Sequence, residues 1–305
     1  MATGREFTLN TGAKLPAVGL GTWQSSEDEV YNAVMTALQA GYRHIDSAFA
    51  YGNESAVGRA LKASGVPREE IFLTTKLWST YHTRVAEGLA ASLNNLGVDY
   101  LDLYLMHWPV AMNPNGNHPL FPTRTDGSRD LVSGSEWDFT KTYSDMQKLL
   151  DTGKVKAIGV SNFSIVNLKE LLSAPTTTIV PAVNQVELHP YNPQPALISF
   201  CAQKGVHVTG YSPLGSTAAP LQEEAIIQSI ASKTGTTPAQ VLISWAVARG
   251  TSVVPKSVTP NRIVSNFNDF VLSKADVAAI DEISKVTRRR MVTPNWGVTI
   301  FHDEE

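Results

Sequence analysis

The chain is predicted to fold as a parallel α/β barrel of the (β/α)8, TIM type. Three observations lead there. Eight short apolar runs alternate with stretches of helical spacing, the pattern of a parallel sheet whose strands are joined by helices. Three of those runs close on an ionisable residue, at Asp46, at Lys76 (IFLTTK) and at His107 (LDLYLMH), and such barrels hold their chemistry at the C-terminal strand ends. No GxGxxG follows an early strand, which disfavours the rival doubly wound open sheet.

The elements follow in order. Residues 7–9 and 14–16 flank the turn residues Asn10-Thr11-Gly12-Ala13, which predicts a β-hairpin that plugs one end of the barrel. VGLGTW, 18–23, is a first buried strand. Residues 27–40 place Val30, Val34, Ala37 and Leu38 on one helical side, with Ser26 as cap and Gly41 as terminator. Strands are then expected over 43–46, 71–76, 101–107, 156–161, 182–187, 206–211 and 251–255. The helices between and after them are expected over 53–64, 83–96, 137–152, 165–173, 194–204, 223–234, 238–249 and 261–267, with a last one over 273–286. Two segments break the rhythm. Residues 109–136, rich in Pro, Gly, Asn, Ser and Thr, form a long loop that leaves from the His107 end and is expected to wall a pocket. The tail, 288–305, carries Trp296 and Phe301, apolar surface that predicts folding over that pocket.

Composition narrows the function. A chain of 305 residues with 43% apolar and 17% charged content buries a sizeable core and is read as one domain, 1–305. A net charge of −3 without long blocks of one sign favours neither nucleic acid nor anionic membrane as a partner. The one cysteine, Cys201, suits a reducing compartment and is read as a small apolar filler. No signal-peptide pattern opens the chain and no run of ~18 apolar residues occurs, so a cytoplasmic protein is the expectation.

Strand alternation sharpens the site. His44 and Asp46 share one face of their strand, as do Phe72, Thr74 and Lys76, and Leu103, Leu105 and His107. Lys76 and Asp46 therefore both face inward at the barrel mouth. A buried lysine needs a partner, and Asp46 is the nearest. Taken singly, these residues would make a plain ion pair with Tyr51 packed beside it. Three such residues at three strand ends favour chemistry. No metal site is predicted, since the pair His44 and His107 has a ready structural alternative.

Three segments carry a resemblance. GYRHIDSAFAYGNESAVG (41–58), MQKLLDTGKVKAIGVSNF (146–163) and VVPKSVTPNRIVSNF (253–267) resemble, in order, the three signatures of the aldo-keto reductase superfamily. That family is a (β/α)8 barrel that reduces carbonyls with a nicotinamide cofactor. The resemblance implies a catalytic tetrad of Asp46, Tyr51, Lys76 and His107. The chemistry suits those types. Hydride transfer to a carbonyl carbon builds charge on oxygen, which an acid must quench. Tyrosine, with an ordinary pKa of about 10, is expected to be lowered by the Lys76 cation. Asp46 would hold Lys76, and His107 would orient the carbonyl oxygen.

The cofactor residues follow from the same resemblance. Ser161, Asn162 and Gln185 would meet the nicotinamide carboxamide, Tyr211 would stack on its ring, and Ser212, Leu214 and Ser216 would line the pyrophosphate. Gly21, Thr22 and Trp23, at the end of the first strand, and Asp46 join the cofactor set. Lys256, Ser257, Val258 and Arg262 follow the eighth strand and open a short helix, where barrels often bind phosphate. Two cations and a hydroxyl suit a 2′-phosphate, so NADPH is expected over NADH. Asn266 would contact adenine. Ser265 stands where many relatives carry an acid, and Ser47 where threonine is common. Trp23, Phe49, Trp78, His107, Trp108 and Trp296 are expected to line a substrate pocket. WGVTIF near the C-terminus resembles fungal aldehyde reductase, NADP-dependent glycerol dehydrogenase and hexuronate reductase members. Val258, where xylose-type reductases carry asparagine, disfavours that branch.

The expected activity is NADPH-dependent reduction of small, aromatic or sugar-derived aldehydes, or the reverse oxidation, by a monomer. Two alternatives differ in kind. A lyase would form a Schiff base on Lys76 and would not need Tyr51. A non-enzymatic nucleotide-binding module would hold cofactor without turnover.

Overall fold

Capping and periodicity set the first helix of the computed structural model, which describes residues 4–132, 134, 136–216 and 220–302. α1 spans Glu27–Ala40. Ser26 and Glu29 form a reciprocal capping box, and Gly41, at φ 104°, ends the helix in the left-handed region. Val30, Ala33, Val34, Ala37 and Leu38 are its buried face, at the spacing that an amphipathic helix requires.

β1 (Glu6–Thr8) and β2 (Lys14–Pro16) pair antiparallel as the expected hairpin. Eight parallel strands follow: β3 (Leu20–Gly21), β4 (His44–Asp46), β5 (Phe72–Leu77), β6 (Leu103–Met106), β7 (Ile158–Ser161), β8 (Val183–Glu187), β9 (His207–Tyr211) and β10 (Ser252–Val254). They pair in unbroken sequential order. Parallel bridges from Val18 to Val253 and from Gly21 to Lys256 close the last strand onto the first. The result is a (β/α)8 barrel with every strand C-terminus on one face.

The helices between strands are α2 (Glu54–Ala63), α3 (Val85–Leu96), α4 (Phe139–Lys148), α5 (Ile165–Ser173), α6 (Pro195–Gln203), α7 (Ala225–Thr234) and α8 (Pro238–Ala248). α9 (Pro260–Phe267), α10 (Lys274–Asp281) and α11 (Ile283–Val286) follow β10. The helix expected over 137–152 ends at Lys148 and continues as a 3-10 turn over Leu150–Thr152. The helix expected over 273–286 is two pieces. The first strand, expected over 18–23, has ladder pairing only at Leu20–Gly21. Gly58 lets α2 approach α3: a Cβ there would stand 2.1 Å from the carbonyl oxygen of Leu96.

The hairpin seals the N-terminal end of the barrel. Leu9 and Leu15 pack inside against Phe72, Leu103, Leu105, Ala157, Ala182 and Val183. Full burial of each leucine contributes roughly 1.5–3 kcal/mol. The larger core lies between the outer strand faces and the helices. With one end plugged, access is from the C-terminal face. There the loop after β6 folds back on itself through bridges between Met112 and Leu131 and between Thr123 and Arg129. Residues 133 and 135 of that loop, and 303–305 of the tail, lie outside the described residues.

Candidate active site

Asp46 ends β4 and Lys76 lies one residue before the end of β5, both side chains turned into the barrel as the alternation requires. Lys76 Nζ donates to Asp46 Oδ1 at 2.6 Å, to the Ser47 carbonyl at 2.8 Å and to the Tyr51 hydroxyl at 3.4 Å. An ammonium has three donors, and all three are used. Lys76 and Asp46 are 1% and 2% exposed, so the pair is removed from water and its geometry must be near ideal to offset desolvation. Tyr51 closes a 3-10 turn, Phe49–Tyr51, which Gly52 ends at φ 69°. The His107 ring meets the Tyr51 ring edge-on at 5.8 Å. These four residues thus converge at the barrel mouth.

Burial sets their protonation. The Tyr51 phenol is pushed well above its ordinary value, first by burial and then by the Asp46 charge. This corrects the expectation that Lys76 lowers it. The ammonium sits 2.6 Å from Asp46 but 3.4 Å from the phenol, so its field is largely taken up by the carboxylate. Burial lowers Lys76, with Asp46 opposing. Burial, then the Lys76 and His82 charges, holds His107 well below its ordinary value. At neutral pH the site therefore stores a protonated phenol beside a neutral imidazole.

A second network joins the strand ends. Gln185 Nε2 donates to Asp46 Oδ2 at 2.7 Å. Ser161 Oγ donates to the Gln185 carbonyl at 2.8 Å. Asn162, at φ 64°, donates through Nδ2 to the His107 carbonyl at 2.9 Å and accepts from the Tyr211 hydroxyl at 2.8 Å. Left-handed backbone at a residue other than glycine is strained, and these side-chain bonds hold it. Thr22 Oγ1 donates to the Asp46 carbonyl at 3.0 Å, and Gly21 pairs with both Asp46 and Lys256. Ser212 and Ser216 also have positive φ, 50° and 58°, around the half-buried Leu214.

The eighth strand leads to an exposed basic edge. Lys256 and Arg262 are exposed, Ser257 and Val258 half-buried and Asn266 buried. Lys256 Nζ donates to the Gln24 carbonyl at 3.3 Å. Thr259, which precedes α9, makes no side-chain cap, so the helix N-terminus keeps free amide donors beside the two cations.

Above Tyr51 and His107 stands an apolar cluster of Trp78, Trp108, Met112, Trp296 and Ile300, with Phe49 and Phe301 against it. Trp78 contacts the His107 ring at 5.2 Å and donates through Nε1 to the Leu120 carbonyl at 2.6 Å. Trp108 meets Trp296 at 5.1 Å. The long loop and the tail therefore both contribute walls. Trp23 is not drawn into this cluster and is 41% exposed.

A family model described as "Aldo/keto reductase family" matches residues 17–285. The chain belongs to the aldo/keto reductase family. It is 55% identical to glycerol 2-dehydrogenase (NADP(+)) of Saccharomyces cerevisiae over 95% of each chain. It is 53% identical to an aldehyde reductase of the same yeast, over 95% of this chain and 94% of that one. Identity to D-galacturonate reductase of Hypocrea jecorina is 49%, over 96% of each. Among solved structures, the aldose reductase from Schistosoma japonicum superposes with a TM-score of 0.87 at 38% identity, over 94% of each chain.

One buried acid next to the site residues was not anticipated from the sequence. Glu187, the last residue of β8, is 0% exposed. Its carboxylate accepts from His189 Nε2 at 2.8 Å and from the backbone amides of Met291 and Val292 at 2.6 and 2.7 Å. The signal was present: Glu187 lies two residues beyond Gln185 and so shares its inward face.

Proposed function

We propose that the chain is an NADPH-dependent carbonyl reductase in which Tyr51 donates the proton that a reduced carbonyl oxygen requires. The observation that carries this reading is the phenol of Tyr51, kept protonated by burial, 3.4 Å from a buried ammonium that is itself fixed on Asp46. When the phenol gives up its proton, Lys76 is in place to stabilise the phenolate that remains. Asp46 keeps Lys76 charged and aimed. Neutral His107 holds a ring N–H toward the carbonyl oxygen and orients it. Trp78, Trp108 and Trp296 exclude water from the reacting centre. The same groups run in reverse for alcohol or polyol oxidation.

The residues present fit a nicotinamide dinucleotide phosphate, which supplies the hydride when bound. Ser161, Asn162 and Gln185 form the polar floor for its carboxamide, and Tyr211 offers a ring for stacking. Gly21, Thr22 and Trp23 flank the same entrance. Ser212, Leu214 and Ser216 line the path of the pyrophosphate. Lys256, Ser257 and Arg262, with Val258 and the uncapped start of α9, suit a dianionic phosphate, and Asn266 lies one helical turn beyond for adenine. The names of the relatives support the choice, with NADP(+) in one and an aldehyde or uronate in others. Small aldehydes such as glyceraldehyde, aromatic aldehydes and sugar-derived aldehydes are the substrate classes in this reading. The family match over 17–285 supports a single barrel domain as the working unit.

Tyr51→Phe tests the assignment. Reduction should fall by at least about a thousandfold, the scale of losing a general acid, with NADPH affinity held within a few-fold. Near-normal turnover would remove Tyr51 from the role of acid.

A further inference from the structure

The tail that walls the substrate pocket begins at residue 288, beyond α11, in the irregular segment that carries Trp296, Ile300 and Phe301. Without secondary structure of its own, such a segment keeps one position only if its backbone is tied down. The ties near its root converge on the short stretch that follows Gln185. Arg289 N donates to the Tyr191 carbonyl at 2.9 Å. The next two amides on the tail, Met291 N and Val292 N, both donate to the Glu187 carboxylate at 2.6 and 2.7 Å.

Glu187 is itself rigidly held. Its own carbonyl accepts from Asn192 Nδ2 at 2.9 Å and from Gln194 Nε2 at 2.7 Å, and its carboxylate accepts from His189 Nε2 at 2.8 Å. Burial pushes the carboxyl up, but the bonds from His189 and the two amides outweigh burial and hold it below its ordinary value. Hydrogen bonds to a charged acceptor are the stronger kind. A buried carboxylate that lost them would be left unpaired. The group also lies outside the reacting set, since its bonds run to His189 and the tail and none to Asp46, Tyr51, Lys76 or His107.

We infer that Glu187 is the positioning residue for substrate selectivity: its carboxylate clamps the tail at Met291 and Val292 and so sets where Trp296 and Phe301 stand against Trp108. The inference rests on the reductase reading of that pocket and adds which residue governs its size. The strand that presents Gln185 to the cofactor also presents the clamp for the substrate wall, two residues further on. Large aldehydes that lean on Trp108 and Trp296 depend on the clamp. Small ones that reach only Tyr51 and His107 do not.

Two variants attack the clamp from opposite sides. Glu187→Gln keeps shape but turns an N–H toward a tail N–H. Val292→Pro removes one tail donor, but it also replaces a side chain that packs against the aromatic cluster, so its KM counts only where Glu187→Gln moves the same way. Backbone hydrogen exchange at 289–294, NADPH affinity, and kcat and KM with glyceraldehyde and with an aromatic aldehyde are compared with the parent enzyme. In both variants the inference expects faster exchange at the tail and a KM for the aromatic aldehyde raised about tenfold. NADPH affinity and kcat for glyceraldehyde should stay within about twofold. Unchanged exchange overturns it, and so does a parallel loss of both substrates and of NADPH. If the parent enzyme reduces no aldehyde, the reductase reading fails first, and tail exchange alone decides the clamp by the same outcomes.

Discussion

Lys76 and Lys256 show how differently two lysines are used in one barrel. Lys76 is sealed and fully hydrogen-bonded. Loss of Asp46 would strand its charge, at a cost of roughly 3–5 kcal/mol for a broken buried pair. Lys256 is exposed and has one bond, to a loop carbonyl. Exposed charges are screened and each contributes little alone, so on the proposed reading Lys256 and Arg262 act together with the start of α9 on the phosphate. The double substitution Lys256→Ala with Arg262→Ala should therefore weaken NADPH by about ten- to a hundredfold while NADH changes little. Equal losses for both cofactors, measured by fluorescence titration, would mean that these cations do not read the 2′-phosphate.

At the scale of elements, periodicity and punctuation were legible, and tertiary pairing only in part: the Asp46–Lys76 pair could be read, most other contacts could not. Ser26, the spacing of Val30, Val34 and Ala37, and Gly41 announced α1 to the residue. Eight apolar runs announced eight strands, and alternation alone placed Asp46 and Lys76 on one side. Strand lengths were overestimated: at the barrel seam ladder pairing stops at Gly21, and the chain turns at Trp23–Gln24, where Gln24 has φ 54°. The break near Glu282 was invisible, since Ser273 to Val286 carries helix-compatible residues throughout. Glu187 was readable by parity, but its partners, two backbone amides more than a hundred residues later, have no side-chain signature. The direction of the Tyr51 shift needed the same long-range knowledge. Proximity to a lysine can be guessed from strand ends, but the burial that outweighs it depends on how the barrel mouth is covered.

The molecule as a whole carries several buried neutral histidines. Burial lowers His44 to about 4, His82 to about 3 and His207 to about 4, in His44 against the pull of Asp46. Below about pH 6.5 the unfolded chain takes up protons at these sites and the folded chain does not. Stability is therefore greatest above that pH and is lost progressively as the pH falls toward 4, by on the order of 1 kcal/mol per pH unit for each histidine. Urea midpoints measured from pH 7 to pH 4 should drop steeply. A flat profile across that window would show that these imidazoles are protonated in the folded state.

The measurement that tests the central claim most directly is the initial rate of NADPH and of NADH consumption by the purified protein with glyceraldehyde, an aromatic aldehyde and a hexuronate. The account predicts turnover with at least one of them, and faster use of NADPH than of NADH. Tight NADPH binding with no consumption of either cofactor for any carbonyl would contradict it.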